Sequence, residues 1–293
     1  MIINFGSINV DYSYRVSQMP KPGETVQAKS FDRFLGGKGA NQSVAISKSG
    51  GRLQHIGIVG NDGDWAVSKF AEYGVDTSRV IKVDMPTGHA NIMVDDAGEN
   101  VIVIVNGANH GFTHEIIEST LEDLDDGNQH WVLLQNETNL TEDIVSSACG
   151  MGYKIVYSAA PFVAEKTLPL LPFIDLLVVN DIEAATLAQN LNVHVPDIPV
   201  PALLVTKGEK GACYFNNDGE IEQEAFSVPV LDTTGAGDCY LGAFLAMLDL
   251  GQPLSEALKF ASAAAAIQVS RRGTAEAIPD RNEVYSFLAG LKR

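Results

Sequence analysis

The sequence predicts an α/β fold: a mainly parallel central sheet with helices on both faces, plus a small β-sheet lid. Three observations carry this. Short apolar runs alternate with longer segments of helical periodicity from Met1 to Thr206, the pattern of strands joined by crossover helices. Two stretches, about 12–35 and 87–106, break the alternation and read as paired extended segments. Two glycine-rich stretches, Gly36-Gly37-Lys38-Gly39-Ala40-Asn41-Gln42 and Asp232-Thr233-Thr234-Gly235-Ala236-Gly237-Asp238, each run into an apolar segment.

Taken in order, Met1–Phe5 is apolar and ends in Gly6, as a central strand would. Its exit carries Asn9 and Asp11, beyond a strand's carboxyl end, where open α/β sheets hold ligands. Pro20-Lys21-Pro22-Gly23-Glu24 is a turn, and Thr25–Phe34 is extended. Asn41–Ser49 and Asp64–Tyr73 read as helices flanking the strand Leu53–Ile58. His89–Asp95 and Val101–Val105 form a second extended pair around a turn at 96–100. Val101–Val105 is apolar on both faces, which predicts burial against something beyond the lid.

Helix Thr113–Leu124, strand Trp131–Gln135, helix Thr141–Cys149 and strand Lys154–Tyr157 follow, then strand Leu176–Val179, helix Ile182–Leu191 and strand Leu203–Thr206. Pro196, Pro199 and Pro201 prevent a continuous helix between the last two. Gly211–Ala225, centred on Asn217-Asp218-Gly219, is a hairpin. Tyr240–Leu250 is a helix packed on the alanine-rich 261–266 region. The chain reads as one domain, 1–293.

A hydrophobic content of 45% with 19% charged residues is that of an ordinary globule. No apolar run reaches the roughly 18 residues of a membrane span, and the first residues lack the basic start of a secretory signal, so a cytoplasmic protein is expected. Cys149, Cys213 and Cys239 are widely spaced, as reduced thiols are, and Cys239 reads as a packing residue. A net charge of −17 argues against nucleic acid. Any anion site must be local, made by Lys38, Lys207, Lys210, Arg271 and backbone amides. The six histidines form no metal cluster by spacing.

The second glycine stretch leaves almost no side chain over a helix start. An anion can approach the unpaired amides of Gly235, Ala236 and Gly237 and the positive end of the dipole. Asp238 lies within one turn, so a hydroxyl held nearby can pass it a proton while attacking phosphorus. A lone Gly-x-Gly-Asp is also an ordinary helix start. The distant Gly36–Gln42 stretch gives the catalytic reading its weight.

Together the two stretches resemble the signatures of the ribokinase-like (phosphofructokinase B-type) carbohydrate kinase family. Asn9-Val10-Asp11, Pro22-Gly23-Glu24, Asn180-x-x-Glu183, Thr206-Lys207-Gly208 and Arg271-Arg272-Gly273 fall in that family's order, so the likeness spans nearly the whole chain. The ribokinase branch is the most similar. The resemblance implies a ribokinase-like three-layer sandwich whose lid closes over the sugar and contributes to a homodimer.

It also implies an ATP-dependent phosphotransferase acting on a primary hydroxyl of a small sugar, ribose to ribose 5-phosphate first. Fructokinase, ketodeoxygluconate kinase, nucleoside kinase or a silent sugar-binding regulator remain alternatives. The implied sugar contacts are Asn9, Asp11, Gly37, Lys38, Gly39, Asn41, Glu137 and Asp238. Asn180 and Glu183 would place magnesium through water, and would also cap a helix. Thr206, Lys207, Gly208, Glu209, Lys210 and Gly211, with Gly237, would border the nucleotide.

Asp232 and Thr234, with backbone from Gln268, Arg271 and Gly273, resemble a potassium site that would hold the anion loop in shape. The chain departs from the family at Ala277, where a serine hydroxyl is common, at Ser158-Ala159-Ala160-Pro161, at Asn91 and in the shortened 192–202 segment. Ala90, Ile92 and Val94 share one strand face, and their modest size favours a small sugar over a nucleoside.

Overall fold

In the computed structural model, which describes residues 1–291, the apolar runs become strands whose successive side chains enter two different cores. The chain begins β1 (Ile2–Phe5), β2 (Asn9–Arg15), β3 (Ser30–Gly36), α1 (Lys38–Lys48), β4 (Leu53–Gly60), α2 (Asp64–Glu72) and β5 (Val80–Val83). It continues through β6 (Gly88–Val94), β7 (Asn100–Val105), α3 (His114–Leu124), β8 (Trp131–Leu134), α4 (Thr141–Gly150), β9 (Lys154–Ser158) and the short α5 (Ala164–Thr167). The remainder is β10 (Leu176–Asn180), α6 (Asp181–Leu191), β11 (Ala202–Thr206), the hairpin β12 (Ala212–Asn216) and β13 (Gly219–Gln223), then α7 (Ala236–Asp249), α8 (Leu254–Val269) and α9 (Arg281–Gly290).

The large sheet runs β13-β12-β11-β10-β9-β8-β1-β4-β5. Every pair from β11 to β5 is parallel, and the hairpin closes one edge antiparallel. Ile2, Leu133, Val156, Leu176 and Leu204 face the core under α1, α7 and α8. Ile3, Phe5, Val132, Ile155, Leu177 and Leu203 face the core under α3, α4 and α6. Apolar residues on both faces of a parallel strand require a helical layer on each side. The α1 and α7 helices cross closely: a Cβ on Gly242 would lie 2.4 Å from that of Ala45. That crossing carries the two glycine stretches to one place.

A second sheet, β3-β2-β6-β7, stands apart from the first. Its first strand starts at Asn9 rather than near 12, so Asn9 and Asp11 belong to the strand; polar residues at its start hid it from periodicity. Pairing of β3 begins only at Ser30, so 25–29 is not strand. The edge strand β5 was not anticipated; four half-buried residues are too few for a period to show.

Val101–Val105 is not covered by this chain. These residues are 37–56% exposed, because β7 is the edge strand of the small sheet. Between α6 and β11 a single short turn at Val195–Asp197 replaces a helix, as the prolines require. Among the described residues no helix is long and apolar enough to cross a membrane.

Candidate active site

Helix α1 is preceded by Gly37 at its N-cap, with no side-chain cap and no acidic residue in its first turn. Its orphan amides are served from far along the chain. Glu137, in the loop after β8, accepts from the Lys38 N–H at 2.8 Å and from the Ser7 hydroxyl at 2.5 Å. Ser7 Oγ in turn accepts from the Gly39 N–H at 3.1 Å. A carboxylate at a helix N-terminus is favoured by both hydrogen bonding and the dipole.

The same helix supplies two amides to Asp238. Gln42 Nε2 donates to one carboxylate oxygen at 2.8 Å and Asn41 Nδ2 to the other at 3.2 Å. Asp238 is 7% exposed in the first turn of α7. Burial raises its pKa, opposed by the Lys38 ammonium and the Gln42 amide. Burial works to lower the Lys38 pKa, but the carboxylates of Asp238, Glu137 and Glu183 outweigh it and raise the ammonium. A buried carboxylate facing a persistently charged lysine suits proton acceptance beside an anion.

Gly235 caps α7 in the left-handed region, φ 74°. The Ala236 amide is partly spent on the Thr233 carbonyl at 3.2 Å, a correction to its expected freedom. The Gly237 and Asp238 amides have no helical acceptor behind them. They open into a cavity of about 1130 Å³ that Lys38, Gly235, Ala236, Gly237 and Asp238 line at one end.

Asn180, Glu183, Thr206, Gly208, Glu209, Lys210 and Gly211 line the same cavity. Asn180 and Thr206 are register partners at the ends of β10 and β11. Asn180 and Glu183 form a reciprocal capping box on α6, with bonds of 2.9 and 2.8 Å. Lys207 is not in the cavity wall; its ammonium turns 3.4 Å from Glu222. The cleft thus runs from the second glycine stretch to Lys38 of the first, while Asn9, Asp11, Gly37, Gly39, Asn41 and Glu137 lie outside its wall.

A family model for the pfkB family carbohydrate kinases matches residues 1–281. The chain belongs to that family. The ribokinase of Haemophilus influenzae is 32% identical over 97% of this chain and 96% of its own length. The crystal structure of the Thermotoga maritima ribokinase superimposes with a TM-score of 0.86 at 33% identity, covering 99% of each chain. That of the Arabidopsis thaliana ribokinase, complexed with ribose and ATP, gives 0.83 at 30% identity over 98% of each. This pfkB kinase therefore carries the family fold over nearly all of its described length.

The remaining residues expected to hold the sugar gather where the small sheet meets α1. Asn9 Oδ1 accepts from Asn109 Nδ2 at 2.7 Å, and Asn109 Oδ1 accepts from the Ile8 N–H at 2.8 Å. Asn41 Oδ1 is buried without a partner, as an atom awaiting a ligand hydroxyl would be. Asp11 fills the space beside Gly36. Burial, then Glu137 and Glu276, push its carboxyl up to about 7. Sequence reasoning missed Ser7, Gln42, Asn109 and Glu276, whose buried carboxylate oxygens have no partner. Gln42 lay inside the first glycine stretch and Ser7 just ahead of the strand exit at Asn9; nothing local marks Asn109 or Glu276.

The Asp11 shift has a sign. A carboxyl with a native pKa above its unfolded one binds more protons in the folded state between the two values. Stability therefore falls as pH rises from about 4 through about 7. Asp11→Asn removes that loss. The variant should melt above the wild type at pH 8, with the gap closing by pH 4, in parallel thermal scans.

In the loop before α7, Asp232 accepts from the Thr234 and Gly273 amides at 2.9 and 3.2 Å. It ties the loop before α7 to the 271–273 segment. The Gln268 carbonyl accepts from the Arg271 N–H at 2.9 Å, and the Arg271 guanidinium binds Glu283. Gln268 Nε2 donates to the Thr234 carbonyl at 3.1 Å while its buried Oε1 has no partner. Ala277 is buried and offers no hydroxyl. Cys239 is fully buried and its thiol pushed up to about 12, as a packing residue's is.

Proposed function

We propose that this protein is an ATP-dependent ribokinase that transfers the γ-phosphoryl group to O5 of ribose. The observation that carries the reading is the meeting of Asp238 with Gln42, Asn41 and Lys38 at the end of the cleft. Asp238 takes the proton of the attacking hydroxyl, the Gly237 and neighbouring amides with Lys38 stabilise charge on the phosphoryl group, and Asn9, Asp11, Asn41 and Glu137 hold the sugar. The ribose and ATP of the Arabidopsis thaliana complex support the substrates, since that protein shares the fold at 30% identity. A coupled ADP-release assay over ribose, 2-deoxyribose, fructose, 2-keto-3-deoxygluconate and adenosine tests it. Ribose should give the highest kcat/KM; sugar binding without ADP formation would mean a silent regulator.

Magnesium fits the donor set: Glu183 and Asn180 line the cavity, and oxygen donors suit a hydrated hard cation that screens phosphate charge. Potassium fits beside Asp232, Thr234 and Gly273, where the unpartnered Gln268 Oε1 is a further oxygen donor. Activity should rise severalfold from choline to potassium chloride at equal ionic strength. Equal rates in potassium, sodium and choline would mean that the Gln268 amide alone holds the Thr234 carbonyl.

The homodimer belongs to the same proposal. Val101–Val105 forms an exposed apolar edge strand, and another copy's lid has the matching chemistry. Light scattering should give twice the chain mass, and Ile102→Asp should halve it. A demand for ATP favours a cytoplasmic location.

A further inference from the structure

Beneath α1, on the sheet face it shares with α7, the core holds polar side chains where apolar ones would pack. Asn4, Gln42, Ser43, His55 and Gln135 are each 0% exposed. Asn4 pairs in register with His55 on one side and Leu133 on the other, and Gln135 follows β8, so the strands present these groups together. Burying so many amides is costly unless each is matched.

The matching runs in one direction, leaving Gln135 Oε1 and His55 Nε2 without partners. Asn4 Nδ2 donates to the Gly39 carbonyl at 2.9 Å and to Ser43 Oγ at 2.8 Å. A backbone carbonyl only accepts, so Asn4 cannot be flipped, and its Oδ1 must be the acceptor on the other side. Gln135 Nε2 donates to that Oδ1 at 2.9 Å and to Gln42 Oε1 at 2.8 Å. Gln42 is thereby fixed with its NH₂ outward, donating to Asp238 at 2.8 Å and to Ser158 Oγ at 3.3 Å. Each of the three NH₂ groups thus has two acceptors. On the other branch Ser43 Oγ meets His55 Nδ1 at 2.8 Å, and burial drives that imidazole down to about 3, so it stays neutral.

We infer that Asn4, Gln135 and Gln42 are positioning residues that fix the orientation of the Asp238 carboxylate and hold it ionised for proton acceptance. The chain begins at the Gly39 carbonyl of the sugar-side stretch and ends on the carboxylate of the phosphate-side helix. Burial raises the Asp238 carboxyl, and the Gln42 donor is one of the forces that oppose this. The charged and titratable groups around it are Lys38, Glu137 and Cys239, with Glu183 beyond Lys38. A flipped Gln42 would aim its carbonyl oxygen at Asp238 instead, a repulsion in a site with little water. The inference rests on Asp238 acting as the base.

The test is Gln135→Met, similar in size but unable to donate, read from the pH dependence of kcat at saturating ribose, where Asp11 is occupied by substrate. The acidic limb should move up by about one pH unit, corresponding to a tenfold weaker preference for the ionised form. KM for ribose should stay within twofold, and activity should recover toward pH 9. Gln135→Leu, equally unable to donate, should move the limb in the same direction; it also serves if the methionine variant does not fold. A lower Tm with an unmoved limb in either folded variant would overturn the inference, since the amides would then only fill the core. Wild-type turnover in Asp238→Asn would overturn the base itself, which is a separate failure.

Discussion

Asp238→Asn is expected to fold, to bind ribose within a few-fold of the wild type, and to turn over about 10²–10⁴ times more slowly, the range a positioned general base supplies. The substitution keeps the shape and one oxygen of the side chain. Asn41 Nδ2 and Gln42 Nε2 both donate to the carboxylate, so the introduced NH₂ would meet one donor head-on. That costs some stability. It also removes a negative charge from a buried site where Lys38 is the compensating cation. Relief of the cost of burying that charge and of its repulsion by Glu137 offsets part of the lost hydrogen bond, and Tm should change little. Single-turnover kinetics with isothermal titration of ribose separates the two effects: a collapsed rate at preserved affinity is expected, and near wild-type turnover would refute the assignment.

Much of this site could be read from the sequence because its residues are short-range neighbours. Gly36–Gln42 and Asp232–Asp238 each combine a glycine-relieved helix start with a charged side chain, and both survive as the N-termini of α1 and α7. The alternation of the sheet was equally legible, since each parallel strand must satisfy a core on both faces. What escaped depends on long-range encounter. Asn109 reaches Asn9 across 100 residues, and Gln135 reaches Asn4 across 131. Isolated amides of this kind give no period and no motif. At β7 the doubly apolar pattern called for cover from beyond the lid, and this chain supplies none.

Gly237→Ala and Gly39→Ala should separate the two uses of glycine in the site. A Cβ at Gly237 meets nothing within 4 Å and lies on the cavity wall. The protein itself therefore has room for alanine there, and the change should stabilise the fold by about 0.4–1 kcal/mol through the unfolded chain. The methyl nevertheless occupies the approach to the Gly237 and Asp238 amides. A phosphoryl group held even 1 Å away loses its alignment, so kcat/KM for ATP should fall about 10²-fold. At Gly39 the order reverses. Its Cβ would lie 2.4 Å from Gly6 Cα and Ser7 N, both backbone atoms that cannot swing aside. Overpacking of that kind costs about 1–3 kcal/mol, and the displaced turn would also loosen Lys38 and Glu137. Thermal melting beside steady-state kinetics decides it: Gly237→Ala should melt above the wild type yet be slow, whereas Gly39→Ala should lose Tm first. A Gly237→Ala enzyme with unaltered ATP kinetics would mean that no phosphate approaches that helix end.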